Sequence, residues 1–224
     1  MPESLAFDLY GTLVDPASQA DVLSQYVDDP SGLAACWRRH QLEISWLLTL
    51  MGRYEDWAKV TGYALQAALD EVQVRLSDSE LRELLDRASV PKLYGDVVDA
   101  LEALRSAGHE LAILSNGTPA LLETIAERTG IRGFFSALIS ADDVGVFKPA
   151  PAVYAHAAGV LGRPIGEVWL VSGNPFDAAG AKAAGMPVVK LERQHSIRYA
   201  FAEPPDLVVA SLLELASALT EPSS

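Results

Sequence analysis

The sequence predicts an α/β fold in which a parallel sheet core carries an inserted cap domain of helices. Short apolar segments rich in β-branched residues recur along the chain, and most are followed by a small-residue turn and a helical pattern. Strands that alternate with helices are typical of a parallel sheet. In contrast, residues 18–89 carry helical patterns and no convincing strand. This region therefore interrupts the sheet pattern after its first strand.

Six segments are predicted as strands, in the order SLAFDLYGT, HELAILSNGT, SALISADD, EVWLVSGNP, MPVVKLE and DLVVASL. Two of the helices between them have apolar residues three or four positions apart, as a helix packed on a sheet requires. Their apolar positions are Val97, Ala100, Leu101 and Leu104 in one helix, and Leu121, Leu122, Ile125 and Ala126 in the other.

The inserted region is predicted to form several packed helices. Its helical segments are AACWRRHQLEISWLLTLM, WAKVTGYALQAAL and SDSELRELLDRA, and Ser77 or Ser79 is a suitable N-cap for the last. A segment bounded by Pro and Gly, 91–95, then returns the chain to the α/β pattern. The core domain is therefore predicted to span 1–15 and 92–224, and the cap 16–91. Residues 220–224 are expected to be a disordered tail.

Charge and composition exclude several classes of partner. Among 224 residues, 17 Lys and Arg stand against 30 Asp and Glu, and the net charge of −13 does not favour nucleic acid or an anionic membrane. No apolar run approaches the roughly 18 residues of a membrane span. The single cysteine, Cys36, excludes an intramolecular disulfide, and the N-terminal residues lack the pattern of a secretion signal. We expect a cytoplasmic protein that acts on a small molecule.

Polar residues follow the carboxyl ends of three predicted strands, and a lysine lies in the loop GVFKPAP. Ligands bind at the carboxyl ends of strands in open α/β sheets, so these side chains are expected to face one cleft. Singly, each has a structural explanation as a turn residue or a first-turn helix acid. Their recurrence at three strands favours a site. The residues are Asp8, Tyr10, Thr12, Ser115, Asn116, Lys148, Ser172, Asn174 and Asp177.

Four segments, FDLYGT, LSNGT, FKPAP and SGNPFD, resemble in order the motifs of the haloacid dehalogenase (HAD) superfamily. The helical insertion resembles its cap, and the resemblance covers nearly the whole chain. It implies a Rossmann-like core of the HAD fold. Most members are phosphatases, in which a second acid of the first motif protonates the leaving alcohol and an acid of the fourth motif holds Mg²⁺. Here Tyr10 and Asn174 occupy those two positions.

These two departures fit the cleavage of a carbon–halogen bond. A halide leaves as a weak base that needs no proton, and no phosphate charge is present for Mg²⁺ to neutralise. Asn is also a poorer ligand than a carboxylate for a hard dication. The resemblance therefore implies the L-2-haloacid dehalogenase branch, with no metal and no cofactor. Its substrate would be a short (S)-2-haloacid, converted into the (R)-2-hydroxy acid.

The resemblance assigns catalytic roles position by position. Asp8 is the nucleophile, which forms an ester with the halogen-bearing carbon and inverts it. Thr12 orients Asp8, and Lys148 keeps its carboxylate ionised. Asp177 positions or activates the water that hydrolyses the ester, together with Ser172 and Asn174.

The resemblance also implies the contacts of substrate and halide. Ser115 seats the substrate carboxylate, and Tyr154 matches a family tyrosine on the helix after the lysine. Arg38, in CWRRHQLE, binds the halide, with Arg39 as the reserve candidate and a solvated helix face as the structural alternative. Asn116 and Phe176 complete the halide cradle.

The expected apolar walls of the substrate pocket are Tyr10, Leu42 and Trp57. Trp57 has an alternative assignment as a core aromatic residue. The larger ring at this position, where relatives often carry Phe, indicates a small substrate.

Two other functions stay open at this point. A phosphatase with shifted metal ligands is one, although position 10 lacks the second acid. A non-catalytic relative that binds small carboxylates is the other, although Asp8, Lys148 and Asp177 are intact. Relatives are commonly homodimers, and the apolar segment 44–51 is the expected interface. The preferred halogen, fluoride included, and the chain length stay open.

Overall fold

The computed structural model describes residues 3–89, 91–193, 197 and 199–220. Its strands and α-helices follow one another in an α/β order that confirms the predicted fold class. They are β1 (Ser4–Phe7), β2 (Val14–Asp15), α1 (Ala20–Leu23), α2 (Pro30–Leu50), α3 (Trp57–Glu71), α4 (Asp78–Arg87), β3 (Lys92–Leu93), α5 (Val97–Ser106), β4 (Glu110–Ser115), α6 (Pro119–Arg128), β5 (Ala137–Ser140), α7 (Pro151–Val160), β6 (Val168–Ser172), α8 (Pro175–Ala183), β7 (Val188–Leu191), β8 (Leu207–Val209) and α9 (Leu212–Thr220).

The core is a six-stranded parallel sheet in the order β5-β4-β1-β6-β7-β8. Strand β1 lies between β4 and β6, and its last residue, Phe7, is in register with Ile113 on one side and Val171 on the other. The carboxyl ends of these three strands therefore lie side by side. This register brings the predicted polar loops to one edge of the sheet.

Helices cover both faces of the sheet because side chains alternate along each strand. Leu5 and Phe7 of β1 pack in one core with α5, α6 and α9, whereas Ala6 belongs to a second core with α7 and α8. All three residues are at most 1% exposed. The central strand is thus buried on both faces, as an apolar run in a parallel sheet requires.

Helices α1 to α4 lie between the short strands β2 and β3, which pair antiparallel through Val14 and Leu93. A third core holds them together around Trp37 of α2, whose Nε1–H donates to the Thr61 carbonyl of α3 at 2.9 Å. Ser77, one of the two candidates, caps α4 in a reciprocal capping box with Glu80. The division into core and cap at residues 15/16 and 91/92 stays a prediction.

The C-terminal tail and the absence of a membrane-spanning segment were also predicted from the sequence. Thr220 is the last residue of α9, and the rest of the expected disordered tail, 221–224, lies outside the described residues. In the described part of the chain, no helix combines the length and the apolar character that a membrane crossing needs.

Candidate active site

Asp8 follows directly on β1 and is the centre of a hydrogen-bond network. Its side chain is 10% exposed and accepts three hydrogen bonds. Lys148 Nζ donates to Oδ1 at 3.1 Å, Thr12 Oγ1 to Oδ2 at 3.1 Å, and Asn174 Nδ2 to Oδ2 at 2.7 Å. One cation and two neutral donors therefore fix the orientation of the carboxylate at the edge of the sheet.

The loops after β1 and β6 approach each other closely at two glycines. Gly11 has φ +81°, a left-handed conformation that lets the chain turn after Tyr10. A Cβ at Gly173 would collide with the Gly11 carbonyl oxygen. With only hydrogen there, the Gly173 N–H donates to Thr12 Oγ1 at 2.8 Å, so the Thr12 hydroxyl links both loops to Asp8.

Lys148 is buried in the loop before α7 and joins two carboxylates. Its Nζ lies 3.1 Å from Asp8 Oδ1 and 2.8 Å from Asp177 Oδ2. Burial by itself would lower the pKa of the Lys148 ammonium, but the charges of Asp177 and Asp8 outweigh it and raise the pKa. Lys148 is therefore a cation at neutral pH. Asn116 orients this loop by accepting from the Lys148 backbone N–H at 2.9 Å.

Asp177 lies in the first turn of α8 and is fully buried. Besides Lys148, it accepts a hydrogen bond from Tyr154 Oη at 2.7 Å. Burial raises the pKa of Asp177, and the charge of Lys148 opposes this rise. Burial also raises the pKa of Tyr154 well above its usual value, so Tyr154 stays a donor. Asp177 is thus a buried carboxylate with both oxygens hydrogen-bonded, and its proton affinity is increased by burial.

Tyr10 occupies the place two residues after Asp8. Its carbonyl accepts from Asn174 Nδ2 at 2.7 Å, and its ring lies 5.8 Å from the Arg38 guanidinium carbon. Burial raises the pKa of the Tyr10 hydroxyl to about 12, with Arg38 opposing and Asp8 adding to the shift. Its hydroxyl therefore remains protonated at neutral pH.

Arg38 and Arg39 are adjacent on α2 but have different surroundings. Arg38 is half-buried and lines a cavity of about 400 Å³ together with Leu42 and Asn174. Burial lowers the pKa of Arg38, and the negative charges of Asp8 and Asp177 oppose this. Arg39 is exposed and pairs with Glu71 at 2.6 Å. Arg38 is therefore the arginine that faces the cleft.

Ser115 and Ser172 end β4 and β6 and bind the following backbone. Ser115 Oγ accepts from the Gly117 N–H at 3.2 Å, and Ser172 Oγ accepts from the Asn174 N–H at 3.1 Å. Both hydroxyls shape the loops that follow their strands.

Phe176 and Trp57 make aromatic contacts with residues of other elements. Phe176 of α8 packs edge to face against Trp46 of α2, with ring centroids 5.5 Å apart. Trp57 begins α3, is 2% exposed and packs against Phe147 at 5.8 Å. Trp57 does not line the cavity that contains Arg38 and Leu42. Trp57 thus packs in the core with Phe147, and its role as a wall of the substrate pocket stays a prediction.

A cluster of metal-ligating side chains lies elsewhere, on α2 and α3. Among the described residues, Cys36, His40 and Glu71 have donor atoms close enough to share an ion. The Arg39 guanidinium already donates to Glu71 and, at 3.3 Å, to Cys36 Sγ. The charge of the Glu71 carboxylate is therefore matched by a side-chain cation.

Two residues near the site were not found from the sequence. Lys190 Nζ and Arg193 Nη2 each donate to a backbone carbonyl of the loops around Asp8, at 2.8 Å. Both follow the fourth motif along the chain, and no motif marks them. The available signal was a lysine inside the apolar strand segment MPVVKLE.

Comparison with known proteins gives consistent matches. The family model of haloacid dehalogenase-like hydrolases matches residues 3–185. The (S)-2-haloacid dehalogenase 2 of Pseudomonas sp. (strain CBS-3) is 38% identical over 216 residues, 96% of this chain and 94% of that protein. The (S)-2-haloacid dehalogenase of Xanthobacter autotrophicus is 39% identical over 194 residues, 86% of this chain and 76% of that protein.

A solved structure also resembles this chain over nearly its full length. It is the L-2-haloacid dehalogenase from Xanthobacter autotrophicus with chloropropionic acid covalently bound. The TM-score is 0.92 at 34% identity, and the match covers 98% of each chain.

The Lys148 cation predicts a pH-dependent stability difference. Lys148→Met would leave Asp8 and Asp177 buried without a counterion, which is expected to cost about 3–5 kcal/mol of unfolding free energy near pH 8. Without the ammonium, the effect of burial on Asp177 is unopposed, so its pKa in the folded variant lies further above the unfolded value. The loss of stability is therefore smallest at low pH, where Asp177 is protonated, and it grows as pH rises from the unfolded pKa through the folded pKa of Asp177.

Urea unfolding of both proteins near pH 5 and near pH 8 measures this difference. The control is Lys59→Met, because the pair of Lys59 with Glu55 is exposed. Its unfolding free energy is expected to match that of the unmodified protein at both pH values, because an exposed ion pair contributes little to stability. A Lys148→Met deficit that is equal at both pH values would contradict the assignment.

Proposed function

Because the chain belongs to the haloacid dehalogenase-like hydrolase family, we propose that it is an (S)-2-haloacid dehalogenase, which hydrolyses short 2-haloalkanoic acids. The observation that carries this function is the surroundings of Asp8. A carboxylate held by Lys148, Thr12 and Asn174 stands beside Tyr10 and not beside a second acid. That arrangement suits a nucleophile whose leaving group needs no proton.

In the first step, an Asp8 oxygen attacks the halogen-bearing carbon from the side opposite the halogen. The C–O bond forms as the C–halogen bond breaks, the halide leaves with the electron pair, and the carbon is inverted. Thr12 and Asn174 support the proposal because their donors fix the carboxylate before attack. Ser115 seats the substrate carboxylate with the backbone N–H groups of its loop.

The departing halide is received by Arg38 of the cap, with Asn116 and Phe176 completing its surroundings. An isolated anion is costly in a low-dielectric pocket, so a cation at the cavity wall lowers the barrier to departure. Arg38 supports this role because it lines the cavity and interacts electrostatically with Asp8. Leu42 and Tyr10 provide apolar surface near the same guanidinium.

In the second step, water attacks the carbonyl carbon of the Asp8 ester. Asp177 accepts one proton of that water, and the alkoxide of the (R)-2-hydroxy acid leaves and takes this proton from Asp177. The Asp8 carboxyl group, which now holds one solvent oxygen, releases the second water proton to solvent and is a carboxylate again. Burial raises the pKa of Asp177, which makes it a better proton acceptor than an exposed carboxylate. Lys148, Tyr154, Ser172 and Asn174 hold this part of the site in place.

We also propose that the protein is a cytoplasmic homodimer that associates through the C-terminal end of α2. Leu47, Leu50 and Met51 are 49%, 83% and 58% exposed there. Beside them, Trp46, Phe147 and Phe176 line an apolar groove of about 630 Å³, to which Phe201 also contributes. Exposed apolar surface of this kind is typical of protein interfaces.

Halide release tests the function. Chloroacetate and (S)-2-chloropropionate, incubated with the protein in EDTA, are expected to release chloride, whereas (R)-2-chloropropionate is not. Asp8→Asn is expected to abolish release, because the amide is a poor nucleophile. Asp86→Asn, a change on an exposed face of α4, is the matched control and keeps full activity. A folded protein that releases no halide from fluoro-, chloro- or bromo-substituted acids refutes the function, and Mg²⁺-dependent phosphate release would favour the phosphatase.

Tyr10→Phe tests whether the leaving group needs a proton. The Tyr10 hydroxyl has a pKa of about 12, so it keeps its proton at neutral pH. Removal of the hydroxyl group in Tyr10→Phe should therefore change kcat by less than about threefold. The pH profile of kcat should be unaltered. A loss of about 100-fold in kcat would show that the hydroxyl acts in the reaction.

The dimer is tested by Leu50→Glu, which places a charge in the proposed interface. Light scattering after size-exclusion chromatography is expected to give a dimer for the unmodified protein and a monomer for the variant. Val160→Glu changes an exposed valine of α7 and should leave the dimer intact. A monomeric unmodified protein would refute the interface.

A further inference from the structure

Lys190 and Arg193, the β7 cation pair, lie at the carboxyl end of β7. Lys190 is 6% exposed, and its Nζ donates to the Gly173 carbonyl at 2.8 Å and to the Leu191 carbonyl at 2.9 Å. Arg193 donates to the Thr12 carbonyl from Nη2 at 2.8 Å and from Nε at 3.3 Å. The pair thus binds the backbone of both loops that surround Asp8.

Arg193 is itself held on two sides. Its Nη1 lies 2.6 Å from Asp96 Oδ1, and its guanidinium stacks over the Tyr94 ring at 4.1 Å. Asp96 Oδ2 in turn accepts from the Leu212 N–H at 2.8 Å, which anchors the ion pair to α9. The side chains of Arg193 and Asp96 are only 12% and 13% exposed. The planar guanidinium therefore has one defined orientation toward Thr12.

The two bound carbonyls belong to the residues that position the nucleophile. Thr12 presents its carbonyl to Arg193 and its hydroxyl to Asp8. Gly173 presents its carbonyl to Lys190 and its N–H to Thr12, and the next residue, Asn174, donates to Asp8. A shift of either loop backbone would therefore change the hydrogen bonds that orient the Asp8 carboxylate.

Lys190 is a charged residue in an otherwise apolar strand, where burial of its ammonium group costs free energy. Its neighbours Val188, Val189 and Leu191 in β7 are all buried. Burial lowers the pKa of Lys190, with Glu192 opposing, so the ammonium is kept in unfavourable surroundings. The hydrogen bonds that compensate for this cost are made with the Gly173 and Leu191 carbonyls, and only the first reaches a loop beside Asp8.

We propose that Lys190 and Arg193 are positioning residues for the dehalogenation, because they fix the loop backbone of Gly173 and Thr12 that orients Asp8. Neither residue donates a hydrogen bond to Asp8, so they act on its carboxylate through Thr12 and Asn174. Arg193 also lines the cavity that contains Arg38. The expected effect on kcat rests on the proposed function. The expected effect on structure, which is that the loops after β1 and β6 are held in place, does not depend on it.

Lys190→Met and Arg193→Met test the catalytic consequence. Each variant is expected to lower kcat for (S)-2-chloropropionate about 10- to 100-fold, with KM changed less than about threefold. Arg132→Met is the control for Arg193, since Arg132 also donates to a carboxylate, Glu123, and a carbonyl, Phe135. Lys182→Met, which breaks the pair with Asp206, is the control for Lys190. Both controls should stay within about twofold in kcat.

Amide hydrogen exchange tests the structural consequence without any substrate. The Gly173 N–H, bonded to Thr12 Oγ1, should exchange at least about 10-fold faster in both variants, whereas the amide of Ile113 in β4 should be unchanged. Unchanged exchange at Gly173 overturns the proposal. In an active protein, faster exchange with unchanged kcat also overturns it, since the pair would then only stabilise the fold.

The two failures are distinguishable. If the unmodified protein releases no halide, the proposed function fails, and exchange at Gly173 alone decides whether the pair fixes the loops. If a methionine variant does not fold, Lys190→Gln or Arg193→Gln replaces it, with the same expected and contradicting results.

Discussion

The site depends on one interaction, the buried ammonium of Lys148 between the carboxylates of Asp8 and Asp177. Two buried carboxylates this close would repel each other, and each would pay a desolvation cost. A single cation within 3.1 Å of both makes the arrangement stable and keeps two acids with separate roles in one small space. Because the three residues come from the end of β1, the loop before α7 and the first turn of α8, their meeting requires the whole sheet to be in register.

The surroundings of Asp8 explain why the chemistry differs from that of a phosphatase. Asn174 directs its amide N–H groups at Asp8 and at the Tyr10 carbonyl, so a donor stands where a metal would need an anionic ligand. The Tyr10 hydroxyl has a raised pKa and is a poor acid. Both features favour a reaction in which the nucleophile displaces a weakly basic leaving group. Such a group needs no proton donor, and its substrate carries no phosphate for a metal ion to bind.

The core and the helices between β2 and β3 contribute different parts of the site. The core places the nucleophile, its lysine and the acid for hydrolysis, whereas α2 places Arg38 at the cavity wall. Arg193 of the β7 cation pair also stacks on Tyr94, which follows β3 directly. The loop that orients Asp8 is therefore connected through one side chain to the segment by which the chain returns from the helices.

The sequence by itself determined the α/β alternation, the position of Asp8 at a strand end and the order of the four motifs, because these depend on local patterns and short spacings. It also narrowed the N-cap of α4 to two serines. The residues alone did not decide whether Arg38 or Arg39 lines the cavity, or whether Trp57 lines the pocket or belongs to the core. Adjacent residues of one type, and apolar residues in general, differ only in what packs against them. The contacts of Lys190 and Arg193 were decided by tertiary structure alone: Arg193 and Thr12 are 181 residues apart, and only the side-by-side packing of β1, β6 and β7 brings them together.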